Sequence, residues 1–252
     1  EKTFRVLEFD QVLTRLSTYT ASELGKELAL GLRPSVNLEE IKRWQAETTE
    51  ARCLWQTGER IPLGGIFNLK QVFRNAELGR VLSPEELLAV AATLRAGRLF
   101  KEFFRGEQQK DAPTLAELAA GLTAFPRVEQ EIERAIAPEG MIKDEASPEL
   151  NRLRTQLKTL QNRIRDKLEA LVQGANTRKY LQENLITLRN GRYVLPVKQE
   201  YRQEIPGIVH DQSASGATLF VEPMAVVELN NKLRQVEAKE EKEIARILAA
   251  LS

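Results

Sequence analysis

The chain has 252 residues, of which 42% are hydrophobic and 29% charged, and its net charge is +1. That is enough apolar content to bury a core, and too balanced a charge for a protein that coats nucleic acid by bulk attraction. A single cysteine, Cys53, excludes an internal disulfide framework and a cysteine-built zinc site, and the absence of a signal peptide or a long uncharged apolar run sets the expectation of a cytoplasmic protein with no membrane partner.

Residues 4–32 read as helix, with Val12, Leu13, Leu16, Leu24, Leu28 and Leu32 at its apolar positions. The polar run from Ser17 to Ser22 interrupts it, with Thr20 or Ser22 as a new N-cap. After Pro34, Asn37 caps a second helix with Glu40 at the capping-box position. Ile41, Trp44, Thr48 and Trp55 are expected on its inner face. Gly58, Pro62, Gly64 and Gly65 form a connector, since no lysine-serine signature follows to make a phosphate loop. Ser83-Pro84 with Glu86 is a strong helix start. That helix runs to about Phe104 and buries Leu87, Val90, Leu94, Phe100, Phe103 and Phe104. Short helices follow over 114–122 and 127–137.

Ser147-Pro148 opens the most informative stretch. Leu150, Leu153, Leu157, Leu160, Ile164, Leu168 and Leu171 recur at steps of three and four, a heptad-like seam that requires a partner helix. Gly174 and Asn176 loosen it, and Tyr180 and Leu181 extend it. A matching seam, Leu229, Leu233, Val236, Ile244, Ile247 and Leu251, lies near the end of the chain with Glu240 in its gap. The two are expected to pair antiparallel. The second seam runs out without a cap, as in a chain cut from something longer.

Between the seams the period changes from helical to alternating. Two β-rich runs flank Arg189-Asn190-Gly191-Arg192, the strongest short hairpin signal. Two more strands are expected over 207–210 and 218–221, turning at 213–216. Pro196 and Pro206 fit edge strands or strand ends. The fold class is therefore mainly α: a helical domain plus a long antiparallel helix pair that carries a stubby four-stranded sheet at its end.

The search for chemistry is largely negative. His210 is the only histidine, which rules out two-histidine metal motifs. With Asp211, Ser213 and Ser215 it matches a triad in composition only, because residues so close along a strand and turn do not converge. A strand-end histidine with a satisfied hydrogen bond is the expectation. Acidic pairs such as Glu39-Glu40 and Glu240-Glu241 read as solvated helix surface. Residues 148–183 hold eight bases against four acids, whereas the segment from Met224 onward is balanced. The basic arm either follows a phosphate backbone or is an ordinary lysine-arginine face.

The runs ENLITLRNGRYVLPVKQEYRQEIPGIVHDQSASGATLFVEPMAVVELNNKLR, residues 183–234, and LEFDQVLTRLSTYTASELGKELALGLRPSVNLEEI, residues 7–41, resemble the N-terminal part of the MutS-two family, bacterial paralogues of the mismatch-repair ATPase MutS. The resemblance implies a helical core domain over 1–146, lever helices over 147–184 and 223–252, and a small β clamp over 185–222. It places the family's ATPase and small MutS-related (Smr) nuclease domains after residue 252. The segment is then expected to have no catalytic site and no cofactor of its own, with ATP and Mg belonging to the full-length ATPase and endonuclease, expected as a homodimer. The implied partner is the ribosome through its rRNA, collided ribosomes being split with ATP. The alternatives are a DNA clamp serving the Smr nuclease in suppressing homologous recombination, and a structural spacer. Candidate contacts to rRNA or DNA are Arg189, Arg192, Lys198 and Arg202 on the sheet and Arg163 and Lys167 on the first seam helix.

Overall fold

The computed structural model describes residues 2–58 and 60–252, and over them the chain is mainly α-helical with one small antiparallel sheet. It divides into two compact units: the chain up to Lys143 together with Leu248–Ser252, and Asp144–Ile247.

The first unit contains α1 (Lys2–Val6), α2 (Phe9–Ser17), α3 (Glu23–Gly31), α4 (Leu38–Gln56), α5 (Lys70–Glu77), α6 (Pro84–Phe103), α7 (Glu107–Asp111), α8 (Pro113–Ala120) and α9 (Pro126–Ala135). The helix expected over 4–32 is thus three helices. Glu8, at φ 50°, breaks it before α2. Ser22, not Thr20, is the cap of α3, its hydroxyl accepting from Gly25 N at 3.1 Å. Asn37 caps α4, and Ser83 with Glu86 forms a full capping box on α6. Prolines 84, 113 and 126 open their helices where a missing N–H costs nothing.

A core of Leu54, Phe104, Ala112, Ala116 and Ala119 joins α4, α6 and α8. Glu50 of α4 reinforces it by accepting from Thr114 N and Leu115 N at 3.1 and 2.9 Å, a carboxylate at the positive end of α8. The connector reaches α6 instead of forming a phosphate loop: Thr93 Oγ1, which donates to Ala89 O at 2.9 Å, accepts from Phe67 N at 3.1 Å and lies 3.4 Å from Gly65 O. One expectation fails here. Trp44, Thr48 and Trp55 are exposed and Ile41 is half-buried, while the residue α4 buries is Leu54. The small α8, carrying Ala116 and Ala119, takes the neighbouring stripe of α4 and leaves the tryptophan stripe open.

The second unit is built on α10 (Pro148–Gln173) and α12 (Met224–Leu251), about 39 and 42 Å long at the usual rise. Ser147 caps α10 through Leu150 N at 3.0 Å. The predicted seam is buried from Leu150 to Leu168. On α12 the buried positions are Val226, Asn230, Leu233, Val236, Glu243 and Ile247. Three contacts set the register: Ser147 with Glu243, Arg154 with Glu240, and Lys167 with the carbonyl of Ala225. As one partner number rises the other falls, so the helices run antiparallel.

Gly174 closes α10, and α11 (Ala175–Arg178) follows. Leu181 does not extend the helix but bridges Val197 at the sheet. The strands are β1 (Thr187–Arg189), β2 (Arg192–Lys198), β3 (Gly207–Gln212) and β4 (Thr218–Pro223), in the order β1-β2-β4-β3, all antiparallel. Asn190 and Gly191, at φ 51° and 71°, make the two-residue turn that the Asn-Gly pair predicts. Leu195, Val197 and Val221 are fully buried in the same core as Leu160, Ile164, Leu168, Val226 and Leu233. Sheet and helix pair therefore share one interior.

Pro196 departs from expectation, because it sits mid-way along β2, an inner strand. Its carbonyl accepts from Gln182 N at 2.8 Å, so its ring nitrogen faces the side where β1 has already ended at the Thr187–Val194 pair. Only the return bond to Gln182 is missing there, on the short bridge between Leu181 and Val197, and the pairing of β2 with β4 is unaffected. Pro206 does precede an edge strand, β3.

Candidate nucleic-acid interface

Leu219 and Val221 of β4 pack into the core shared with the helix pair, and Glu222 is the strand's one charged side chain. Glu222 is nevertheless fully buried. Its oxygens take Arg192 Nη1 at 2.9 and 3.1 Å and Asn230 Nδ2 at 2.7 Å, and His210 Nε2 lies 2.5 Å away. Asn230, also buried, accepts from Tyr193 N and donates to Tyr193 O at 3.3 and 3.2 Å. A buried carboxylate is tolerated only when charge and hydrogen bonds answer it. Here β2, β3 and α12 each contribute a partner.

This cluster decides the fate of the predicted basic contacts on the sheet. Arg192 is committed to Glu222 and, through Nη2, to Asn231 Oδ1 at 2.8 Å. Arg189 pairs with Asp211 at 3.2 Å and stacks 4.0 Å over the Phe220 ring. Arg202 donates to the carbonyls of Ile205 and Gly207 at 3.2 and 2.7 Å, holding the loop into β3. Lys198 donates to Lys179 O at 3.2 Å. These four side chains chiefly brace the sheet.

The two candidates on α10 differ. Arg163 and Lys167 are exposed and four residues apart, hence on one flank of the helix. Lys167 touches the carbonyl of Ala225 at 3.2 Å, and among the described residues Arg163 has no ion pair or hydrogen bond with the chain. Lys158 and Arg165 are exposed on the opposite flank. The structure therefore brings Arg163 and Lys167 together on one flank of α10, while the sheet bases are held in internal contacts.

The triad-like composition around His210 resolves as anticipated from chain geometry. Asp211 turns to Arg189, and Ser213 Oγ accepts from Thr218 N at 3.0 Å in the turn. Among the described residues no three His, Cys, Asp or Glu side chains are grouped to hold a metal ion, and no helix is long and apolar enough to cross a membrane. The sequence reading missed Glu222 and Asn230. Their signals were a lone carboxylate ending the apolar run TLFVEP and an asparagine at a seam position of α12.

The fold and this surface define a helical arm segment, two antiparallel helices with a braced sheet set on their shared core. No protein-family model matches the chain. All of it aligns with proteins called Endonuclease MutS2: 46% identity over 252 residues in Symbiobacterium thermophilum, 47% over 253 in a Geobacillus species and 46% over 252 in Pelotomaculum thermopropionicum. Along its whole length the chain is thus similar to one segment of MutS2 proteins. It spans about a third of the length of these relatives, 31% to 32%.

Proposed function

We propose that this segment is the non-catalytic arm of a MutS2-like ATPase and endonuclease, and that it grips a nucleic-acid-containing target, collided ribosomes, which the full-length protein separates with ATP. The observation that carries this reading is the shared core of α10, α12 and the sheet. An arm that moves as one piece can carry force from its base to its tip, because packed interfaces shift as units instead of deforming continuously. Because Arg189, Arg192 and Arg202 are paired internally, this reading assigns the charged contact to the exposed Arg163 and Lys167 of α10. In this reading ATP and Mg belong to the part of the full-length protein outside this chain. The reading retains a homodimer as the acting form.

The test is co-sedimentation of full-length protein with collided ribosomes. Deleting the sheet is uninformative, because Leu195, Val197 and Val221 belong to the helix core. Charge reversal at exposed Arg163 and Lys167 should instead release the protein from the ribosome pellet, and unchanged sedimentation would remove the reading. A second reading, a DNA clamp serving an Smr nuclease, draws on the same exposed bases of α10. It requires DNA affinity that falls steeply with salt and flattens when those charges are removed.

A further inference from the structure

Both tryptophans of the chain, Trp44 and Trp55, lie on one stripe of α4, eleven residues or about three turns apart. Thr48 lies between them on the same stripe. This row is set about a quarter turn from Leu54, through which α4 packs on its own unit. Trp55 is 77% exposed and Trp44 39%. A tryptophan covers about 150–250 Å² when buried and is the residue most enriched at interface hot spots. A helical stripe carrying both, turned to solvent, is an interface without its other half.

Relatives of this chain are about three times as long, so about two thirds of such a polypeptide lies outside these residues. A covalently linked partner meets the stripe at an effective concentration of about millimolar or more, which no free partner matches. We propose that the Trp44–Trp55 stripe of α4 is an intramolecular docking face, covered by a part of the same polypeptide that lies outside the 252 residues.

The experiment uses the full-length protein with a photo-crosslinking benzoylphenylalanine in place of Trp55, a position exposed enough that the change leaves the packing of this unit intact. Irradiation should give a crosslink within one polypeptide, mapped by peptide mass spectrometry to a residue outside the segment. A covalent dimer, an adduct with another protein, or no protein crosslink would overturn the proposal. Thiol labelling supplies an independent measurement. In a Cys53→Ser background, Thr48→Cys should react with maleimide at least tenfold more slowly in the intact protein than Thr155→Cys on the open face of α10. Equal rates would overturn it.

Discussion

Arg154 of α10 and Glu240 of α12, 86 residues apart in the chain, meet with Nε 2.7 Å from Oε1. Glu240 occupies the gap in the aliphatic row of α12, so the interruption of the hydrophobic pattern is where the opposite helix supplies a guanidinium. The second Arg154 contact, to Asp144 Oδ1 at 2.5 Å, ties the same side chain to the start of the unit. An ion pair at a seam position contributes register more than stability. A double-mutant cycle of Arg154→Ala and Glu240→Ala in urea unfolding should give a coupling energy of about 1–2 kcal/mol. A coupling near zero would mean that the seam is registered by its leucines alone.

Glu222 makes a larger demand. Truncation by Glu222→Ala leaves Arg192 facing a buried void and removes the partner of Asn230, a situation that costs about 3–5 kcal/mol. Glu222→Gln retains an oxygen and should lose less. Urea midpoints of the two variants, compared with the parent, check the order.

Gly207 tests the close approach of β3 to β4. A Cβ there would lie 2.2 Å from the carbonyl oxygen of Glu222, a backbone atom that cannot swing aside. Gly207→Ala should push β3 outward and destabilise by about 1–3 kcal/mol, the cost of overpacking. Amides of β3 should exchange faster in this variant, and wild-type exchange rates would contradict the contact.

Acid should loosen the base of the helix pair. The guanidinium of Arg246 and the hydroxyl of Ser147 bring Glu243 down to about 2 from the ordinary 4.5. Because the folded value is depressed, its stabilising contribution is complete above about pH 4.5 and is lost as pH falls toward 2. Thermal melting followed between pH 6 and pH 2.5 should show a steeper decline in the parent than in Glu243→Gln. Parallel curves would rule out this residue as a source of the acid sensitivity.

Much of this architecture was legible in the chain. The leucine steps from Leu150 to Leu168 named both a helix and its buried face, because a 3.5-residue repeat leaves few alternatives. Asn190-Gly191 named a turn, because it is one of the few pairs that accept two positive φ angles cheaply. The face of α4 was misjudged for a physical reason. Apolar periodicity reports that a stripe needs covering, not which element covers it, and here the small residues of α8 take the Leu54 stripe instead. Arg192 reads as a free cation because its partner, Glu222, lies on another strand that only the folded chain brings near, and Arg202 because the carbonyls of Ile205 and Gly207 that hold it carry no side-chain signal. Pro196 is tolerated inside a sheet because its ring nitrogen faces only the short bridge at Leu181–Val197 and not β4, which spacing alone does not reveal.

The central claim is that α10, α12 and the sheet are one cooperative body, and native-state hydrogen exchange tests it most directly. Amides of Val194, Leu195, Val197 and Val221 should open in the same denaturant-dependent event as those of Leu157 to Leu168 and Leu233 to Val236. Sheet amides that exchange through a separate, lower-energy opening, while both helices stay protected, would contradict it.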